Sequence, residues 1–338
     1  MSRGETVRVL VAPDKFRSTA SAADLRASIR ATLGERFDCD ELALSDGGEG
    51  FRDAFAGETI DLRVRGPWGE VHAAPMTRVV TREGTVGVLE VAEIVGRGFR
   101  DATSSDALIA SSAGVGDAVI GAVAHGVERI VIGCGGSATS DGGEGCYDVL
   151  RAAGVDLAVT AATDITAMFL GALDYASQKG VGEDDLVLVE NRLRDVAARY
   201  ARECGRDVLG VARAGAAGGL AGALYALGAD LVGGFDQVAQ MSHLVERVAA
   251  AQMVITGEGR LDAGSLQGKV VGGVCALTTP TQRVLVVCGA TRGDAAADLV
   301  RRYPWIVVED LVVRFGERRA RQETLSCVAE VVGDFVAG

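Results

Sequence analysis

Residues 7–34 read VRVLVAPDKFRSTASAADLRASIRATLG. The opening run Val7–Ala12 is apolar apart from Arg8 and rich in β-branched valine, as a strand buried on both faces of a parallel sheet requires. A loop follows, Pro13-Asp14-Lys15-Phe16-Arg17-Ser18-Thr19. Ser21 then stands as an N-cap with Asp24 three residues on, the spacing of a capping box. Leu25, Ile29 and Leu33 fall on one helical face, and Gly34 supplies the stop. Strand, loop and amphipathic helix in that order begin an α/β domain.

The pattern recurs outward from that stretch. A second strand is predicted near Glu41–Leu44, running into Ser45-Asp46-Gly47-Gly48-Glu49-Gly50. From Ile60 to Val91 polar and apolar residues alternate around Gly66-Pro67-Trp68-Gly69 and Arg82-Glu83-Gly84, which predicts antiparallel hairpins. A helix is expected over Val115–His125, ended by Gly126, then a strand over Arg129–Ile132 that empties into the loop Gly133–Gly145. Residues 155–250 are rich in alanine and glycine, without strand alternation, and read as helical. From Met253 the order is strand to Thr256, loop Gly257–Asp262, helix to about Leu277, strand Val284–Val287, a short strand near Ile306 and a helix over Glu323–Phe335. The predicted organisation is therefore α/β in two domains. One is built from residues 1–58, 103–154 and 251–338; a second α/β domain, 59–102 and 155–250, is inserted in two pieces.

Composition narrows the function. The chain has 338 residues, 48% hydrophobic and 24% charged, which excludes disorder for its bulk. A net charge of −12 excludes a general nucleic-acid binder and disfavours an anionic membrane surface. Seven cysteines form no CxxC pair and three histidines fall in no zinc motif, so the thiols read as core residues of a chain in a reducing cytoplasm. No apolar leader or membrane-length run is visible. Lysine is scarce: among 34 basic residues only Lys15, Lys179 and Lys269 are lysines. A compact ammonium and a guanidinium are not interchangeable, so each surviving lysine is a candidate for chemistry.

The hexapeptide SDGGEG occurs twice, at 45–50 and at 140–145. Both copies are expected between a strand and a helix, where open α/β sheets bind ligands. Gly47, Gly48, Gly142 and Gly143 let backbone N–H groups approach an anion. Asp46 and Asp141 can hold Mg²⁺ or take a proton from a hydroxyl. Gly133, Gly135 and Ala138 also spell GxGxxA, with Asp156 placed for a ribose, the fingerprint of a nicotinamide-dependent oxidoreductase. Against it, Gly142, Gly143 and Gly145 prolong the loop beyond the point where that helix begins, and the expected cap is Ser140 or Asp141. Gly264–Val270 lacks the spacing of a P-loop.

Taken in order, APDKFRSTASA (12–22), ALSDGGEGF (43–51), GCGGSATSDGGEG (133–145), QKG (178–180), AGAAGGL (214–220) and TGEGRLDAGSLQGKV (256–270) resemble the type I glycerate kinases over nearly the whole chain. The resemblance implies a Rossmann-like parallel-sheet domain with a second α/β domain, and phosphorylation of D-glycerate, usually at the 2-hydroxyl, by ATP with Mg²⁺ in an interdomain cleft. It implies Asp46, Asp141, Lys179 and Lys15 as catalytic. Arg17, Gly47, Gly48, Gly135, Gly136, Ser137, Thr139, Gly142, Gly143, Glu258, Arg260 and Lys269 would bind substrate or phosphate, and Asp46, Asp141 and Asp262 metal. A cytoplasmic enzyme, possible as a homodimer, is the corresponding expectation. The chain departs from the family pattern at Arg17, where lysine is usual, at Ser140 and Glu144, and over 164–177, where the usual Asn-Pro-Leu and several residues are missing. Those departures keep two alternatives: a kinase for another small hydroxy acid, or a nucleotide- or metabolite-binding paralogue without turnover.

Overall fold

The computed structural model describes residues 6–338 apart from 17–18, 49, 156–157 and 267–268. In chain order its strands are β1 (Val7–Val11), β2 (Phe37–Glu41), β3 (Glu58–Arg65), β4 (Val71–Thr81), β5 (Gly84–Glu90), β6 (Arg129–Gly133), β7 (Ala158–Thr163), β8 (Asp230–Gly233), β9 (Met253–Leu261), β10 (Arg283–Thr291) and β11 (Ile306–Asp310). They form two sheets in two compact units. The first unit comprises the described residues up to Asp46 together with Val238–Gly338, and the second comprises Gly47–Gln237.

The first unit carries a five-stranded sheet in the order β11-β10-β9-β1-β2, parallel throughout. Val9, Leu10 and Val11 are fully buried although consecutive strand residues face opposite sides, so both faces are covered. Helix Ala22–Leu33 packs Leu25, Ile29 and Leu33 into the core on one face, with Cys327, Val328 and Val331 of helix Thr324–Ala337. Ser21 caps the first of these helices, its hydroxyl accepting the Asp24 N–H at 3.1 Å, and Gly34 ends it at φ 62°. The chain runs from β1 outward to β2, then resumes on the other side of β1 with β9, β10 and β11. The winding therefore reverses between β1 and β9, the position at which doubly wound sheets open a ligand crevice at the strands' carboxyl ends.

The second unit holds a six-stranded sheet in the order β3-β4-β5-β6-β7-β8. The hairpins β3–β4 and β4–β5 are antiparallel, as the alternation predicts; β5 to β8 are parallel. Helix Ala113–Ala124 packs Val115, Ala118, Val119 and Ala122 against that sheet. A second core gathers Tyr147, Phe169, Leu193, Val196 and Tyr200 around helix Leu186–Cys204.

The α/β reading holds, and several details differ from the sequence reading. The second strand, expected near Glu41–Leu44, lies earlier, at Phe37–Glu41. Residues 103–154 belong to the second unit, because β6 bonds β5 on one side and β7 on the other. The second unit is consequently one continuous stretch and not two pieces. Residues 155–250 contain β7 and β8, whose sequences AVTAAT and DLVG are short and weakly β-forming. No α-helix follows the first SDGGEG copy, only a short 3₁₀ turn at Arg52–Ala54 before β3. Residues Gly257–Leu261, expected as loop, continue β9, which stays paired with β10 as far as Thr291 opposite Leu261.

Candidate active site

In the first unit the candidate residues collect at the carboxyl ends of the parallel strands. Beyond β1, Asp14 donates its N–H to the Gly257 carbonyl at 2.8 Å, and the Thr256 hydroxyl bonds the Ala12 carbonyl at 2.8 Å, so the loop carrying Lys15 is tied to β9. Lys15 is half-buried, and its N–H bonds the Asp14 carboxylate at 2.7 Å. Beyond β2, Asp46 lies 4.0 Å from the Lys269 ammonium, which precedes helix Val270–Leu277.

Glu258, near the end of β9, is the electrostatically unusual group of this unit. Its Oε1 is buried without a hydrogen-bond partner. Burial pushes its pKa up to about 7, the carboxylates of Asp14 and Asp262 raise it further, and Ser265 and Lys269 oppose the rise. Such a carboxyl exchanges its proton near neutrality. Asp262 Oδ1 accepts the N–H groups of Gly264 at 2.9 Å and Ser265 at 3.3 Å, while Ser265 Oγ accepts the Asp262 N–H at 3.0 Å. That is a side-chain turn of the type aspartate builds. Exposed Arg260 reaches Asp262 at 3.8 Å. Arg17 lies outside the described residues.

In the second unit the loop after β6 is built differently. Asp141 is fully buried, and its two oxygens accept four hydrogen bonds: the Ser112 N–H and hydroxyl at 2.8 Å each, Gly143 N–H at 3.0 Å and Gly145 N–H at 3.2 Å. The carboxylate folds the start of helix Glu144–Ala153, which begins six residues past Ala138, too late for the dinucleotide fingerprint; Asp156 lies outside the described residues. Tyr200 bonds the Gly142 carbonyl at 3.0 Å. Lys179 is buried, its ammonium bonded to Ser137 Oγ at 2.9 Å and the Thr139 carbonyl at 2.7 Å. Burial brings its pKa down to about 7, Asp141 and Asp164 oppose that shift, and Arg97 adds to it. The hydroxyls of Thr139 and Ser140 are buried beside it without a partner.

Glycines in these loops make room for protein as well as for any ligand. A Cβ on Gly135 would stand 2.6 Å from Gly48 Cα, and one on Gly218 1.9 Å from the Thr139 carbonyl oxygen. Gly47 and Gly48 therefore meet the Gly133–Gly145 loop, Gly136 accepts the Arg97 N–H at 2.9 Å, and Gly142 donates to the Gly218 carbonyl at 3.0 Å. The structure thus brings together Lys179, Ser137 and Thr139 in one unit, and Asp46, Lys269 and Glu258 at the strand ends of the other.

Comparison with known proteins gives these loops their context. The model of the glycerate kinase family matches residues 9–158 and 148–302. The chain belongs to the glycerate kinase family. A glycerate 2-kinase of Escherichia coli is 30% identical over 331 residues, covering 85% of this chain and 86% of that one. An uncharacterised protein of Mycobacterium bovis is 36% identical over 312 residues, covering 86% and 81%. The crystal structure of a Salmonella typhimurium LT2 protein, provisionally described as glycerate kinase 2, superposes with a TM-score of 0.77 at 27% identity, over 99% of each chain. This family member is a small-molecule kinase.

Sequence reasoning passed over three residues of the site region. Ser112 was one of several serines and threonines between residues 103 and 112, without a motif. Tyr200 sits on a helix whose pattern shows only an apolar face. Glu90 did carry a signal, a lone acid closing the apolar strand TVGVLE. No helix among the described residues is long and apolar enough to cross a membrane.

Proposed function

We propose that this glycerate kinase family member transfers the γ-phosphoryl group of ATP, as its magnesium complex, to D-glycerate, giving 2-phosphoglycerate. The observation that carries the reading is the grouping of Asp46, Lys269 and Glu258 at the carboxyl ends of β2 and β9, where the winding reverses, with Lys15 on the loop that follows β1 and is tied to β9. Phosphoryl transfer asks the protein for positioning and charge neutralisation and little covalent work. Lys269 and Lys15 supply positive charge to phosphate oxygens in this reading. Asp46 fits a magnesium ion that arrives with the nucleotide, since Mg²⁺ is commonly held by one or two carboxylates plus substrate phosphates. Asp141, with four donors on its carboxylate, is assigned to holding the Gly133–Gly145 loop. Lys179 fixes the same loop through Thr139 and presents a cation within it. The oxygen of the acid's hydroxyl forms the new bond to phosphorus as the bond to ADP breaks, and the hydroxyl proton passes to a carboxylate.

The name of the Escherichia coli relative supports the 2-hydroxyl as acceptor. The test is ADP release from MgATP with D-glycerate against a panel of small hydroxy acids, and ³¹P NMR of the product. Turnover with D-glycerate and a 2-phosphate signal is the expected result. Turnover confined to another acid would reassign the substrate and turn attention to residues 164–177.

A further inference from the structure

Glu258 is placed by the sheet of the first unit. It lies towards the carboxyl end of β9, opposite Cys288 in the β10 ladder. Side chains alternate along a strand, so Glu258 shares a face with Val254 and Thr256, away from Met253 and Ile255. A Cβ on the preceding Gly257 would stand 2.1 Å from the Val287 carbonyl oxygen, and the Gly257 carbonyl accepts the Asp14 N–H at 2.8 Å. The backbone that carries Glu258 is thus held from both sides. Its Oε1 is, among the described residues, the one carboxylate oxygen that is buried and has no hydrogen-bond partner. The acids around it are engaged: Asp14 accepts the Lys15 N–H at 2.7 Å, Asp262 Oδ1 accepts two N–H groups, and Asp46 stands 4.0 Å from Lys269. The charged and titratable groups that act on Glu258 are Asp14 beyond β1, Asp262 beyond β9, Lys269 and Cys275 before and within helix Val270–Leu277, and Cys288 on β10. Lys269 is the one cation in that set. An unfilled buried lone pair makes the charged carboxylate costly, and a proton relieves it. A carboxylate repels phosphate oxygens, so the phosphate-binding part implied by the family resemblance does not suit Glu258; accepting from a hydroxyl does. The residue as a whole is half-buried, so the group is not sealed off.

We propose that Glu258 is the base of the transfer, the carboxylate that takes the proton of the acceptor hydroxyl. The inference rests on the phosphoryl-transfer reading above, whose accepting carboxylate it names. As the hydroxyl oxygen bonds the γ-phosphorus, its O–H bond breaks and the proton passes to Glu258. The bond from phosphorus to the bridging oxygen breaks, and its electron pair leaves with ADP. Glu258 then returns the proton to water. Burial sets this carboxyl to about 7, basic enough to take a proton and acidic enough to release it near neutrality.

The test uses the full chain, MgATP and the acid the wild type phosphorylates, and follows phosphoryl transfer in a single turnover, where product release does not mask the chemistry. The wild-type rate should rise with pH along a limb centred near about 7. Glu258→Gln should lower the rate by about 100-fold or more and abolish the limb, with KM for MgATP changing by less than about 3-fold. Glu258→Asp, which keeps a carboxylate one methylene further back, should recover part of the rate and restore a limb. Melts at about pH 8 separate catalysis from folding: Glu258→Gln should melt no lower than the wild type. In the nucleotide-free protein, carbon NMR should show one glutamate carboxyl titrating near about 7 that disappears in Glu258→Gln. With an active wild type, a Glu258→Gln rate within about 3-fold of it overturns the assignment of Glu258. So does a limb that survives the substitution, a rate loss accompanied by a lower melting temperature, or the absence of that carboxyl signal. A wild type inactive on every acid overturns the phosphoryl-transfer reading itself, and the proposal with it.

Discussion

At the scale of single residues, the identical aspartates of the repeat separate by environment. Asp46 lies beside a cation near the strand ends, whereas Asp141 is enclosed by N–H and O–H donors. Asp141→Asn is therefore expected to act first on stability, losing about 1–3 kcal/mol in urea unfolding through donors left without a charged acceptor. The two titrating groups shift in opposite senses. Lys179, brought down to about 7, binds fewer protons folded than unfolded between that value and the ordinary lysine range. Its contribution to unfolding free energy should thus rise with pH from about 7 to about 10, by at most about 1.4 kcal/mol per pH unit. Denaturant titrations should show that slope, and Lys179→Met should remove it. Glu258, pushed up to about 7, holds its proton longer folded than unfolded, so its contribution falls as pH rises from about 4.5 to 7. Glu258→Gln should melt higher than the wild type at pH 8, the direction expected when a site stores an unfavourable charge for function.

At the scale of elements, the sequence was most legible where period and punctuation agree. Helix Ala22–Leu33 has its cap, stripe and stop where Ser21, Leu25–Ile29–Leu33 and Gly34 put them, and both hairpins of β3–β5 follow from alternation. It was least legible where glycine and alanine dominate. Gly257–Leu261 looks like a loop because glycine is a poor strand former, yet the neighbouring β10 pairs with Gly257, Glu258, Arg260 and Leu261. The loops of the second unit are read as ligand cradles from their glycines, but several of those glycines admit neighbouring backbone. Gly218→Ala is the sharpest test. Its φ of 71° already disfavours a side chain, and the added carbon would overlap the Thr139 carbonyl. The expected result is a lower melting temperature and loss of the Lys179–Thr139 bond, seen as a Lys179 side-chain pKa that moves in NMR titration.

At the scale of the whole molecule, the second unit is one uninterrupted stretch with cores of its own, around Ile132 and Leu220 and around Leu193 and Tyr200. Residues 47–237 produced alone should melt cooperatively, by circular dichroism, with near-native helix content; a non-cooperative trace would show that its cores depend on the rest of the chain. The division itself was misread from sequence because β6 and the strands beside it carry the same apolar texture as β1 and β9, and local pattern does not say which sheet a strand joins. What the sequence by itself determined was the α/β class, the family, the small-molecule chemistry and the residues worth watching, since these depend on periodicity, on charge and on ordered motifs. Only the tertiary structure decided which sheet β6 completes, that Asp141 is walled in while Asp46 meets Lys269, and that Glu90 accepts the Gly50 N–H. Those outcomes turn on hydrogen bonds and burial between residues dozens of positions apart, such as Glu90 with Gly50 and Asp141 with Ser112. A linear pattern records which groups are available, and folding selects their partners.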